Sequence, residues 1–167
     1  AIMLALNSPG VTVEGITVVQ GNVPAEKGYS NARHLLGLLG REEVPLKRGA
    51  LRPLNPERAT QVKWLEQRYA APQITDVHEP DGADAVAFLM EQVLSNPGEI
   101  TLVTIGPLTN VAMAIQQSGA FASSVKGIVM MGGTAECAGN SKTSSNVRDF
   151  SEIRSMQYTV VAPEPSA

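Results

Sequence analysis

Several things are scarce in this 167-residue sequence. It has one cysteine, Cys137, so it cannot close an intrachain disulfide, and a reducing compartment is the simpler expectation. It has no excess of positive charge: 13 basic against 16 acidic residues leave a formal charge of −3, which gives no electrostatic footprint for nucleic acid or an anionic lipid surface. No apolar run approaches the roughly 20 residues needed to cross a bilayer. The apolar opening Ala1–Leu6 has no basic residues before it and runs directly into Asn7-Ser8-Pro9-Gly10, so it does not fit a signal peptide. It reads as the end of a helix whose beginning lies upstream, and the lack of an initiator methionine agrees with a truncated start. There is no Gly-x-Gly-x-x-Gly or Gly-x-x-x-x-Gly-Lys-Ser/Thr loop, which argues against a generic nucleotide binder. Internal repeats and low-complexity tracts are missing too.

What remains is an ordinary globular composition, 43% hydrophobic and 17% charged, of a length that suits one domain with a real core. Short β-rich runs alternate with longer helical ones, which predicts α/β architecture around an open, mainly parallel sheet with helices on both faces. Val11–Val19 is dense in Val, Ile and Thr between Pro9-Gly10 and Gly21-Asn22, and reads as a strand. Glu26–Leu39 carries a helical stripe of Tyr29, Ala32, Leu35, Leu36 and Leu39 closed by Gly40. Val44–Leu46 predicts a short strand, Glu57–Ala70 a helix, and 71–82 a surface loop. Ala83–Leu94 has Val86, Leu89, Met90 and Val93 at helical spacing. Ile100–Ile105 is apolar apart from threonines, as a parallel strand covered on both faces should be. Leu108–Gln117 follows as a helix expected to turn Leu108, Val111, Ala112 and Ile115 inward, and Val125–Met131 as a strand with Met130 and Met131 packing at its end. After Asn140 no clean period emerges. Residues 1–140 are therefore expected to form the domain, and 141–167 a divergent, poorly ordered tail.

In an open parallel sheet, ligands bind beyond the carboxyl ends of the strands. Three strands here end in polar or glycine-containing turns: Gln20-Gly21-Asn22, Ile105-Gly106-Pro107, and Met131-Gly132-Gly133 running on to Gly139-Asn140. Glycines admit close backbone approach, and asparagine amides offer a donor and an acceptor to sugar hydroxyls. These turns are the expected site rim. Other polar residues have simpler readings: Asp81 and Asp84 as turn and helix-cap residues, Glu136 as a solvated loop carboxylate, and His34 as a structural residue within its helix.

The segments Val13-Glu14-Gly15-Ile16-Thr17-Val18-Val19-Gln20-Gly21-Asn22-Val23, Leu102-Val103-Thr104-Ile105-Gly106-Pro107-Leu108-Thr109-Asn110 and Met130-Met131-Gly132-Gly133 together resemble the inosine/uridine-preferring nucleoside hydrolases in local sequence, order and spacing. The likeness covers roughly residues 1–140. It implies a Rossmann-like fold, cleavage of the N-glycosidic bond of a ribonucleoside substrate, and one Ca²⁺ held by an aspartate cluster, and it suggests a homo-oligomer; the cytoplasmic setting is expected from the single cysteine. Carried over by position, Asn22 matches an asparagine that organises the active site, Ile105 the residue whose backbone carbonyl ligates Ca²⁺, and Asn140 a ribose-contacting asparagine. His78 lies where the family often has a His-Gly pair near the base, although Glu79 follows it here.

The departures bear directly on function. The family's Asp-x-Asp-x-Gly-x-Asp-Asp cluster precedes the helix that opens here at Ala1, and this sequence does not contain it. Past Asn140 the family has a Glu-Phe-Asn run, which Asn146-Val147-Arg148-Asp149-Phe150 does not supply. A carbonyl and two amides cannot replace several charged ligands, so weak Ca²⁺ affinity and no appreciable hydrolysis are expected of this chain alone. The competing expectation is a catalytically dead binding module that keeps the fold without the metal site.

Overall fold

The computed structural model describes residues 1–55 and 85–131, together with the backbone of 158–163. Five helices and five strands lie in these segments: α1 (Ile2–Leu6), β1 (Gly15–Val18), α2 (Ala25–Leu38), β2 (Leu46–Arg48), α3 (Ala85–Ser95), β3 (Ile100–Thr104), α4 (Thr109–Gln117), α5 (Gly119–Ser124), β4 (Gly127–Met130) and β5 (Tyr158–Pro163). The strands form one sheet in the order β2-β1-β5-β3-β4. β1 pairs with β2 in parallel, as β3 does with β4, while β5 runs antiparallel to both of its neighbours. The fold is thus an open, mainly parallel α/β sheet with helices on both faces. The helix predicted over 57–70 and the loop over 71–82 lie outside the described residues.

Side-chain alternation assigns the helices to faces. On one face Ile16, Val18 and Leu46 pack with Ile2 and Leu6 of α1, with Tyr29, Ala32 and Leu36 of α2, and with Val44. On the other, Ile100 and Leu102 of β3 pack with Val86, Phe88, Leu89 and Val93 of α3, Val111 and Ala114 of α4, and Phe121 of α5. Val103, pointing opposite to Leu102, joins the first cluster. The sheet separates two cores, and Phe88 reaches between the halves: it lies against Gly15 of β1, and the Lys47 ammonium of β2 sits 5.9 Å above its ring.

The ends of the elements have local causes. Pro24, with φ −54°, is preset for the entry to α2. The far end of α2 closes in a Schellman motif: Arg41 N–H donates to Leu36 O at 2.9 Å and Gly40 N–H to Gly37 O at 3.1 Å, with Gly40 at φ +62°, a conformation that favours glycine. Arg41 then ties α2 to α1 by donating from Nη1 to Leu6 O at 2.9 Å, and its Nε pairs with Glu43 at 2.6 Å, which holds that exposed carboxyl below its usual pKa. β1 is shorter than the predicted Val11–Val19 because Val11 N–H is committed to a turn onto Ser8 O. β2 begins at Leu46 rather than Val44 for the same reason, Val44 N–H being held by Arg41 O.

Four further features differ from the sequence reading. α4 turns Asn110, Val111 and Ala114 inward and leaves Ile115 42% exposed, because the Asn110 amide has buried partners to satisfy. α5 emerges where the sequence has no period: it is little more than a turn, anchored by the fully buried Phe121. Met130 and Met131 are exposed rather than packed, since β4 forms the edge of the described sheet. Within the segment expected to be a poorly ordered tail, Tyr158–Pro163 makes the central strand, its extended Tyr-Thr-Val-Val run satisfying ladders on both sides. The rest of that tail lies outside the described residues.

A Cβ at position 15 would come within 2.5 Å of the Phe88 ring and 3.1 Å of Pro45 O. Gly15→Ala is therefore expected to destabilise the chain by about 1–3 kcal/mol through overpacking, read as a lower urea midpoint with an unchanged m-value. Phe88→Leu in the same chain should recover part of the loss.

Candidate functional site at the carboxyl edge of the sheet

Because β1 and β3 are both antiparallel to β5, they run parallel to each other, and all four parallel strands end on one edge of the sheet. Helix layers reverse face between β1 and β3, the kind of topological switch at whose carboxyl edge open α/β sheets bind ligands. The half-buried Asn22 follows β1, and Ile105, 7% exposed, follows β3. Two strand spacings separate the two strands, about 10 Å. Met131, at the exit from β4, is fixed to the same edge by its N–H donating to Thr104 O at 2.9 Å. The turns after Gln20 and Ile105, and Met131 itself, thus share one end of one sheet. His78 and Asn140, with Asp81, Asp84, Glu136 and Cys137, lie outside the described residues, and His34 is on the exposed side of α2.

Backbone pairing continues past the ends of the strands and stiffens this edge. Gly49 N–H donates to Val18 O at 2.8 Å and Gln20 N–H to Ala50 O at 2.9 Å, so the exits of β1 and β2 leave together. A single side chain from the other half of the fold locks that seam. Asn110, in the first turn of α4 and 1% exposed, donates from Nδ2 to Val18 O at 3.0 Å and accepts Ala50 N–H on Oδ1 at 2.9 Å. Both ends of the amide are used, as a buried amide requires. Any Cβ at position 49 would run into that amide, which is why the residue there is glycine. At the outer rim Arg48, the last residue of β2, pairs with Glu26 in the first turn of α2 at 3.4 Å, an exposed contact worth less than about 1 kcal/mol.

Beneath the rim two hydroxyls stand out. Thr17 and Thr104 are 0% and 1% exposed, and their Oγ1 atoms have no hydrogen-bond partner among the described residues. Both pair directly with Thr159, so they flank β5 at one level on the α3/α4 face. The sequence reading did not single out Asn110, Thr17 or Thr104. Asn110 carried a detectable signal, an amide set among the apolar residues of an otherwise amphipathic helix.

A divalent hard cation needs several oxygen ligands, most of them charged. The Ile105 carbonyl is one neutral oxygen, and the described residues contain no group of three His, Cys, Asp or Glu able to hold a metal. The described part of the edge does not by itself fit a Ca²⁺ site.

Comparison with known proteins places this arrangement. The profile of the inosine-uridine preferring nucleoside hydrolases matches residues 1–151. The chain belongs to that family. A probable uridine nucleosidase 2 of Oryza sativa subsp. japonica is 36% identical over 168 residues, covering 95% of this chain and 49% of the relative. A pyrimidine-specific ribonucleoside hydrolase of Photobacterium profundum is 38% identical over 144 residues, 84% of this chain and 46% of its own length. Among solved structures, a plant nucleoside hydrolase superposes with a TM-score of 0.66 at 35% identity, over 80% of this chain and 43% of that one. A purine-preferring ribonucleoside hydrolase from Gardnerella vaginalis gives 0.69 at 29% identity, over 80% and 44%. This nucleoside hydrolase chain spans about half the length of the curated relatives it matches.

The Asn110 clamp predicts a loss localised at this edge. Asn110→Ala strands the Ala50 N–H and removes one of two donors to Val18 O, and should destabilise by about 1–3 kcal/mol. Hydrogen exchange at Ala50 and Gln20 should accelerate more than at Leu36, which lies in the far core. Uniform acceleration would contradict a local clamp.

Proposed function

We propose that this chain builds part of the sugar-facing wall of a ribonucleoside hydrolase and does not hydrolyse nucleosides on its own. The reading rests mainly on one observation, the arrival of Asn22 and Ile105 at the same switch-point edge in a chain of this family. In the proposal Asn22 and Asn140 bind ribose hydroxyls through their amides, His78 lies near the base, and the Ile105 carbonyl contributes one oxygen ligand to Ca²⁺ in the intact site. The names of the relatives and neighbours include uridine, pyrimidine and purine preferences, so the substrate class is taken as ribonucleosides in general.

N-glycosidic cleavage passes through a ribosyl oxocarbenium-like state, whose positive charge is stabilised by carboxylates and whose attacking water needs activation. Apart from the Arg48–Glu26 pair at its outer rim, the described edge offers amides and carbonyls, which are neutral. Such groups can position a sugar, but they supply neither a base for water nor a counter-charge for the cation. A second reading, a binding module that keeps the fold without the chemistry, draws on the same neutral donor set and differs in requiring no metal at all. No helix among the described residues is long and apolar enough to cross a membrane. A cytoplasmic setting is part of the proposal, resting on the single cysteine. So is self-association, supported by the edge strand β4 with Ile128 48%, Val129 60% and Met130 52% exposed.

Purified chain incubated with inosine or uridine and Ca²⁺ should release no ribose above the uncatalysed background in a reducing-sugar assay. Turnover of about 1 s⁻¹, an ordinary enzymatic rate, would overturn the proposal. Calorimetric titration separates the two readings: millimolar Ca²⁺ binding that Asn22→Ala weakens favours a hydrolase part, and nucleoside binding indifferent to Ca²⁺ favours the binding module.

A further inference from the structure

Asn22 and Ile105 stand on separate loops, and one buried amide joins the elements that lead into them. Gly21 and Val23, on either side of the half-buried Asn22, are themselves buried, so the loop after β1 is seated in the fold rather than draped over it. Ile105 opens the turn into α4, and Asn110 is the second residue of that helix. Val111 and Ala114 hold α4 in the core beneath β3, which gives the Asn110 side chain a fixed origin on the β3 side. From there it reaches residues 92 and 60 positions away in the chain: Nδ2 donates to Val18 O at 3.0 Å, and Oδ1 accepts Ala50 N–H at 2.9 Å.

Hydrogen bonds continue from those two contacts toward Asn22. Ala50 gives its N–H to Asn110 and takes Gln20 N–H on its carbonyl, at 2.9 Å in each case. Val18 O accepts Gly49 N–H at 2.8 Å beside the Asn110 amide. A displacement of that amide therefore moves the Ala50 peptide, and with it the Gln20 peptide that leads into Gly21 and Asn22. The amide is also confined from outside, since only a residue without a Cβ fits beside it at position 49. Phe88, which also joins the two halves of the sheet, does so at Gly15, the opposite end of β1, and leaves the carboxyl edge unconstrained.

We infer that Asn110 is a positioning residue of the sugar site: its amide, acting through Val18 and Ala50, sets where Asn22 stands relative to Ile105, and so how tightly the site holds a ribose. The binding half of the inference rests on the proposed contact between Asn22 and the sugar; the positioning half, that Asn110 governs the Asn22 loop, does not. Hydrogen bonds to a sugar hydroxyl weaken steeply as distance and angle depart from their optimum, so a small shift at Asn22 lowers affinity while the fold persists. The role needs an amide, because one side chain must donate to Val18 O and accept from Ala50 N–H together.

The test uses the full chain labelled with ¹⁵N, uridine as the probe, and three variants. Asn110→Ala removes both bonds, and Gly49→Ala keeps Asn110 but drives a Cβ into its amide. In Asn110→Asp the protonated acid can donate to Val18 O and accept from Ala50 N–H, whereas the carboxylate only accepts and faces the Val18 carbonyl. Burial and that carbonyl disfavour the charged form and raise the pKa of the introduced carboxyl, so native behaviour is expected at acid pH and is lost as pH rises through that value. The unaltered chain over the same range corrects for Glu26 and Arg48 at the rim. Without ligand, each variant should shift the backbone and side-chain amide signals of Asn22, Asn110→Asp reversibly with pH, while Leu36 in the far core stays in place; a merely structural loss lowers stability without moving Asn22 in the folded state. With uridine, saturable shifts are expected at Asn22 of the unaltered chain, weakened about tenfold by Asn110→Ala, by Gly49→Ala, and by Asn110→Asp at neutral but not acid pH. Unmoved Asn22 signals in the folded variants overturn the inference, and so does unchanged uridine affinity when those signals move. Uridine that leaves Asn22 of the unaltered chain untouched overturns the sugar contact and the binding half with it, and the ligand-free shifts then decide the positioning half. Should Asn110→Ala not fold, Gly49→Ala and the pH response of Asn110→Asp carry the same comparison.

Discussion

The double ladder of β5 is the constraint on which the arrangement of this chain depends. Without those six residues the described strands fall into two parallel pairs, β2-β1 and β3-β4, each with its own helices and its own hydrophobic cluster on its own face. Side chains add cross-links between the halves: Phe88 over Gly15, the Lys47 ammonium above that ring, Val103 on the first cluster, and the Asn110 amide. Each of these links is individually modest. A continuous ladder satisfies buried backbone groups on both flanking strands at once, and leaving such groups unpaired in an apolar interior is costly.

The carboxyl edge illustrates how backbone can be positioned without chemistry following automatically. The seam of Val18, Gly49 and Ala50, locked by the Asn110 amide, fixes where the exits of β1 and β2 point, and it works with or without a ligand. Catalysis makes a different demand, for charge directed at a developing cation. Positioning and activation therefore reside in different residues, and the first can be present in a chain in which the second has not been located. Fold and family membership fit comfortably with a conditional view of activity.

Much of this was legible in the sequence, and the exceptions are instructive. The stripe of Tyr29, Ala32 and Leu36, the closing Gly40, and the run of β3 specify their elements locally, because helical period, left-handed backbone and two-faced burial each leave a mark within a short window. The shared edge of the β1, β3 and β4 ends was readable, since parallel topology puts carboxyl ends together. Asn110 was not singled out because its value comes from Val18 and Ala50, far away in the chain, and nothing beside it announces those partners. Ile115 was expected inward for the related reason that hydrophobicity alone ranks it above an asparagine. α5 and β5 escaped because one anchor residue, or six residues paired only to distant strands, carry no period of their own.

The placement of β5 also bears on how the chain is made. A ribosome delivers residues in order, so β1 and β3 cannot pair with β5 until residue 163 has emerged. Pairing across such separations is slow as well as late. During that interval both open strands are apolar and ready to pair, the condition in which nascent chains recruit chaperones or aggregate. Synthesis rate and chaperone supply, more than the final contacts, should then govern how much of this protein a cell recovers in usable form.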